Sequence, residues 1–580
     1  MTSGRTAATG TDRPPAKHDA EKPSESASDQ ELSPGAQAEP DSRPTLLRRL
    51  IGLAGGVVGA FILFAVMPAD MDLWPRLTAA VAILMAVWWM TEAIPIPATA
   101  LVPLVAFPLF VPASETEGGE GVSVDTIGAN YGNNIIFLFM GGFMLALAMQ
   151  RWNLHRRVAL LTLRLMGSKP VFLIAGFMIA TGFITMWVSN TATAVMMLPI
   201  GVSVLMLVNN VVKEQTPGEG GLEDDGAVAG SADTGDPSHS STDSNPQHDE
   251  NLSSVTAQGP VTSNFGTALM LGVAYAASVG SVGTLIGTPP NALLAAHMSE
   301  NHDVTIGFGQ WMLVGVPVAV VMLVLTWVVL TQIIYRPEIK TIPGGSDLIK
   351  SELAKLGPMS SGETRVLAVF VLAAVSWVTV PLVSDFWLGL EDPFISDAGI
   401  AMSIGLLLFL LPGGAARGVR LLDWDSAVKL PWGVLLLFGG GLALSSQFSD
   451  SGLSEWLGTQ MEGLAGVPVW VLVLIAAAGI LILTEMTSNT ATAATFLPVA
   501  SGVAMGTGID PLMLAAPVAL AASCAFMLPV GTPPNAIAYG SGYVTIGQMV
   551  KGGVWLNVAG LVVITVASMT LVVWVFGLSL

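Results

Sequence analysis

Ser189-Asn190-Thr191-Ala192-Thr193-Ala194 interrupts an apolar stretch and returns unchanged as Ser488-Asn489-Thr490-Ala491-Thr492-Ala493, 299 positions later. Each copy is followed by a second shared motif. It reads Gly287-Thr288-Pro289-Pro290-Asn291 in the first half and Gly531-Thr532-Pro533-Pro534-Asn535 in the second. Polar motifs duplicated in the same order within apolar sequence argue for a membrane transporter with a two-fold internal repeat and discontinuous helices.

The totals agree with that reading. Of 580 residues, 52% are hydrophobic and only 11% charged, and the mean hydropathy is +0.66. Soluble chains carry about 25% charged residues. A lone cysteine, Cys524, excludes an intrachain disulfide. The net charge of −19 is concentrated in polar segments: residues 1–44 hold eight acids against five basic residues, and 213–262 hold ten acids against Lys213. Their Gly/Ser/Pro-rich composition predicts a disordered cytoplasmic tail over 1–44 and an acidic cytoplasmic insertion over 213–262. The tail lacks the apolar core of a signal peptide. Nothing in the chain calls for a nucleic-acid partner.

Apolar windows of membrane-spanning length fall near 50–67, 75–92, 95–112, 133–150, 266–286, 309–333, 366–384, 397–413, 433–448, 512–530 and 553–577. Two further blocks, 171–212 and 469–505, are each broken near the middle by the Ser-Asn-Thr motif. Their arms read as too short for full crossings, which favours re-entrant hairpins with the motif at the tip. The expected fold is therefore all-α and polytopic, with about eleven transmembrane helices plus two hairpins. It divides into a first transmembrane helix (45–67), a first repeat (72–335), a cytoplasmic linker (336–362) and a second repeat (363–580).

Charge sets the orientation. Arg151, Arg156, Arg157, Arg164, Lys169, Arg336, Lys340, Lys350, Lys355, Arg417, Arg420, Lys429 and Lys551 fall on one predicted side; 113–132, 385–396 and 449–468, on the other, hold acids but no Lys or Arg. The positive-inside rule then puts the N-terminus in the cytoplasm and the C-terminus outside. Phe139-Met140-Gly141-Gly142 is similar to Phe438-Gly439-Gly440-Gly441, yet basic residues follow the first and acidic residues the second. The two repeats thus read as inverted.

Ser, Asn and Thr cap helix N-termini, and proline suits the first helical position. If both motif types break their helices, four N-termini converge near the midplane, where free N–H groups favour an anion. Freed carbonyls and neutral Ser/Thr/Asn oxygens suit a small hard cation such as Na⁺. Glu485, beside the second tip, is an intramembrane acid and a candidate for orienting the loop or for coupling. Its first-half counterpart is Met186. Glu92 reads as structural near the inner interface, and His297 as a satisfied or membrane-facing histidine. No Walker motif, nucleophile elbow or metal-ligand spacing is present, so no catalytic residue, enzyme activity or organic cofactor is expected.

Both Ser-Asn-Thr tips, both Thr-Pro-Pro-Asn motifs and the Trp89-Met90-Thr91-Glu92-Ala93-Ile94-Pro95 stretch resemble the divalent anion:sodium symporter family. These are the sodium-coupled di- and tricarboxylate transporters, and the likeness runs from about residue 50 to 580. It implies a first sodium site at Thr185, Ser189, Asn190 and Gly287, and a second at Thr484, Thr487, Asn489 and Gly531. It further implies substrate contacts from Asn190, Thr191, Thr288, Pro289, Ser488, Asn489, Thr490, Thr532 and Pro533. Family exchangers place a cationic side chain where sodium would bind; none stands here, which favours symport. A homodimer with elevator-type movement is also implied. The expected function is sodium-coupled import of C4-dicarboxylates (succinate, malate, fumarate) across the cytoplasmic membrane. Sulfate or citrate transport, or sodium-independent exchange, is the alternative.

Overall fold

A computed structural model describes residues 42–115, 121–167, 169–215, 263–339, 341–342, 345–390, 393–464 and 466–579, without the side chains of 209–215 and 346. Most of the expected 1–44 tail and 213–262 insertion, and Lys340, lie outside these residues. The chain divides into the units Met1–Leu47 and Arg48–Leu580. Of the first, only 42–47 are described, most of them the opening turn of a helix. All other described residues belong to the second.

The described residues are helical between short connections, apart from one isolated bridge between Pro412 and Arg420. In chain order the helices that frame the motifs are α1 (Arg43–Val66), α2 (Leu73–Thr91), α3 (Ile96–Thr99), α4 (Val102–Phe110), α5 (Asn134–Arg151) and α6 (Leu154–Met166). Then come α7 (Pro170–Thr185), α8 (Asn190–Gln215), α9 (Asn264–Ser281), α10 (Pro289–His302) and α11 (Phe308–Val328). The second half holds α12 (Gly345–Lys355), α13 (Ser361–Phe386), α14 (Asp397–Leu410), α15 (Trp432–Asp450) and α16 (Leu453–Met461). It continues with α17 (Val469–Thr484), α18 (Asn489–Gly506), α19 (Leu512–Ala522), α20 (Pro533–Gly540) and α21 (Ile546–Ala567). Eight helices among the described residues are long and apolar enough to cross a membrane.

Several expected boundaries move. The apolar window 95–112 is two helices, α3 and α4. Pro103 has no N–H to offer the Thr99 carbonyl, the Tyr131 hydroxyl donates to the Ala100 carbonyl, and Gly440 leans on Ala100 from another helix. The windows 266–286 and 512–530 stop early, at Ser281 and Ala522, and helix resumes only at Pro289 and Pro533. The arms of the first hairpin are unequal. Its second arm, α8, runs 26 residues, long enough to cross by length alone. No proline lies between Pro199 and Pro217 to stop it. The second hairpin has arms of 16 and 18 residues.

Small residues set the tightest approaches, as expected where helices pack in lipid. A Cβ on Gly141 would lie 2.4 Å from the Ala401 carbonyl oxygen, and one on Gly440 would lie 2.2 Å from that of Ala100. So α5 is pressed onto α14, and α15 onto the α3–α4 junction. Phe139 and Phe438 meet edge to face at 4.8 Å between them. Near the connection between the halves, the buried Arg157 guanidinium donates to the Glu363 carboxylate at 2.8 and 3.2 Å and to the carbonyls of Gly357 and Leu356 at 3.0 and 3.3 Å. Glu363 also completes the capping box of α13 with Ser360.

Candidate functional site

Each Ser-Asn-Thr motif sits at the tip between two hairpin arms. Helix stops at Thr185 and restarts at Asn190 in the first; it stops at Thr484 and restarts at Asn489 in the second. Ser189 Oγ accepts the N–H of Ala192 at 3.3 Å and caps α8, whereas Ser488 makes no side-chain cap. The second motif behaves conversely. Thr532 Oγ1 accepts the N–H of Asn535 at 3.4 Å, while Thr288 caps nothing and lies 3.3 Å from Ser523 Oγ. One hydroxyl in each half is therefore free of capping duty.

The threonines that close the first arms play matching parts. Thr185 Oγ1 donates to the Ala277 carbonyl at 3.0 Å, and Thr484 Oγ1 lies 2.8 Å from the Ala522 carbonyl. Each ties a tip to the last turn of a helix that is about to break. Thr484 Oγ1 also reaches Asn489 Oδ1 at 2.8 Å, joining two of the expected second-site ligands. Thr487 does not join them. Its hydroxyl donates to Leu483 O at 2.8 Å and meets Thr492 Oγ1 at 2.7 Å, beside an apolar cavity lined by Trp89 and Phe496. Thr185, Ser189, Asn190 and Gly287 make no side-chain hydrogen bonds to one another among the described contacts.

Between Ser281 and Pro289, and between Ala522 and Pro533, the chain is unwound, and both breaks are buttressed alike. Asn291 Nδ2 donates to the carbonyls of Val282 (3.1 Å) and Thr284 (2.8 Å); Asn535 Nδ2 donates to those of Ala525 (3.0 Å) and Leu528 (3.1 Å). A glycine of the following span leans on each break. A Cβ on Gly315 would lie 2.5 Å from the Val282 carbonyl, and one on Gly553 2.4 Å from that of Phe526. Gly287 and Gly531 are confined too: the nearest atoms to an added Cβ would be Ser281 O at 2.2 Å and Ala525 Cβ at 3.0 Å.

The halves differ in how tip and break are joined. In the first, Thr284 Oγ1 donates to the Met186 carbonyl. In the second, the buried Glu485 carboxylate accepts the N–H groups of Phe526, Met527 and Leu528 at 2.7, 3.0 and 3.1 Å and the Asn557 amide at 2.7 Å. Of its two candidate roles, orientation of the loop is the one this geometry realises. His297 is satisfied by Ser445 and Ser501. Glu92 ends α2 with a left-handed φ of 50° and pairs with Arg48 at 2.8 Å.

Across the halves, α8 packs against α20, and α10 against α18. Ser189, Thr191 and Pro533 are exposed; Asn190, Pro289, Ser488 and Asn489 are half-buried; Thr288, Thr490 and Thr532 are buried. The first tip and the start of α20 thus border open space, while Thr288, Thr490 and Thr532 are covered. Helix starts offer N–H groups to an anion, and break carbonyls offer oxygens to a cation. Asn291 and Asn535 close the repeated pentapeptide, yet neither is among the expected site residues. Thr284 and Asn557 carry no repeat signal.

Among the described residues, eight helices long and apolar enough to cross a membrane, together with two spans broken before a Thr-Pro-Pro motif, fit a multi-pass membrane transporter. A family model described as the sodium:sulfate symporter transmembrane region matches residues 47–578. The chain belongs to this family, the divalent anion:sodium symporters. It is 39% identical over 533 residues to the sodium-dependent dicarboxylate transporter SdcS of Staphylococcus saprophyticus, covering 92% of this chain and 93% of the relative. It is also 39% identical over 540 residues to SdcS of Staphylococcus aureus strain USA300, covering 93% and 94%. In fold it is similar to the Alcanivorax borkumensis YdaH transporter, at 13% identity and a TM-score of 0.50, covering 85% of this chain and 98% of that one.

Proposed function

We propose that this protein is a sodium-coupled symporter that imports C4-dicarboxylates such as succinate, malate and fumarate across the cytoplasmic membrane. The observation that carries the reading is the duplication of tip and break: two oxygen-rich tips, each tied to an unwound span by a threonine hydroxyl. The names of the staphylococcal relatives support sodium and dicarboxylate as the transported species.

In this reading Thr185, Ser189, Asn190 and Gly287 hold one sodium ion, and Thr484, Asn489 and Gly531 hold the other. Thr487 joins the second site only after its hydroxyl leaves Thr492. The anion lies between them against Asn190, Thr191, Thr288, Pro289, Ser488, Asn489, Thr490, Thr532 and Pro533. Sodium binds first, orders the tips and offsets the carboxylate charge. The repeats 72–335 and 363–580 are inverted, the N-terminus is cytoplasmic and the C-terminus outside. Two copies form a homodimer in which the hairpins and broken spans move as an elevator.

Radiolabelled succinate uptake into proteoliposomes, under an inward Na⁺ gradient against an equal K⁺ gradient, tests this. Concentrative uptake with Na⁺ alone is expected. Uptake indifferent to Na⁺ but stimulated by internal succinate means exchange. Sulfate is the second reading, favoured by the description of the matching family model, and failure of succinate under both gradients brings it forward.

A further inference from the structure

Asn291 and Asn535 are both fully buried, at 0% exposure. In each, the two protons of the amide nitrogen go to two carbonyls of the neighbouring break. That fixes which end of each amide is oxygen, because a flipped amide would set its oxygen against two carbonyl oxygens. Among the described residues, no donor reaches the Oδ1 atom of Asn291 or of Asn535. Native proteins seldom bury such an acceptor without a reason. Here the same residue type does so at the same point of both motifs.

An acceptor with no hydrogen to offer repels an anion and attracts a cation. A neutral amide oxygen beside unwound backbone suits a hard ion such as Na⁺. We propose that Asn291 and Asn535 each lend Oδ1 to a sodium ion, one in each half; this rests on the symport reading above. The assignment gives these side chains two tasks. Their nitrogens hold the shape of the break, and their oxygens register the cation, so ion binding and break geometry are one event. The event reaches the tips through a single further residue: Thr284, whose hydroxyl donates to the Met186 carbonyl, and Leu528, whose N–H goes to Glu485.

The test is sodium-dependent thermal stabilisation of the purified protein without substrate, at constant ionic strength with choline as the replacement. Wild type, Asn291→Ser and Asn535→Ser are compared. Each variant should need at least about tenfold more sodium for half of its stabilisation. Folded variants that titrate like wild type overturn the assignment. If the variants do not fold, structures of the wild type in sodium and in choline decide. Cation density in bonding contact with both Oδ1 atoms, in sodium only, supports the proposal; protein or water donors on those atoms in both states overturn it. A wild type that sodium stabilises no better than choline instead removes the symport reading itself.

Discussion

Glu485 Oε1 lies 2.7 Å from the backbone nitrogen of Phe526, and the carboxylate also takes the N–H groups of Met527 and Leu528 and the amide of Asn557. Only an acceptor-only group satisfies so many donors at once. Glu485→Gln sets an NH₂ among them and should cost about 1.5–3 kcal/mol. We predict a lower melting temperature and at least roughly tenfold slower sodium-driven uptake, following the same arithmetic. Wild-type uptake in the glutamine variant would mean that the second break does not need the carboxylate.

The glycines that lean on the breaks make a second case. Gly315→Ala and Gly553→Ala press a methyl group onto the Val282 and Phe526 carbonyls. Overpacking of this kind costs about 1–3 kcal/mol. Both variants should lose stability in a thermal melt and transport slowly. Gly479→Ala, where an added Cβ meets nothing within 4 Å, should melt at or slightly above wild type. Equal melting of all three would mean that the breaks tolerate the added methyl groups.

Asn190→Ala and Asn489→Ala should lower apparent sodium affinity and uptake together, since each residue is assigned to ion and substrate alike. Uptake measured across a sodium series checks this. Unchanged sodium dependence in both variants would separate the tips from the cation.

Arg157 and Glu363 form a buried ion pair. Removing one partner of such a pair costs about 3–5 kcal/mol because the other charge stays behind. Arg157→Leu should therefore melt lower than the double variant Arg157→Leu with Glu363→Gln. A single variant at least as stable as the double one would contradict the buried-charge account.

The helix restarts around the candidate site were legible because their signals are local. Thr-Pro-Pro announces where a helix restarts, since proline suits its first turn, and α10 and α20 do begin at Pro289 and Pro533. Where the preceding helices stop was not legible. Ser281 and Ala522 end their helices because Asn291, Asn535 and Glu485 engage the backbone beyond them from elsewhere in the chain. The break at Ala100 likewise involves Tyr131 and Gly440, which no window around 95–112 contains. The family resemblance set Thr487 among the second-site ligands, yet its hydroxyl turns back along its own arm to Leu483.

The contacts of Gly141 with Ala401 and of Gly440 with Ala100 follow the rule of an isologous interface, in which residue i meets j and j meets i. Gly141 and Gly440 are 299 positions apart, and Ala100 and Ala401 are 301 apart. Each half supplies one glycine and one alanine to a joint that the other half completes. Neither half can close that joint alone, so the chain resembles a dimer of half-length proteins that carries its own tether. Cutting the tether leaves the joint's four residues in place, and two separately made halves should recognise each other through it.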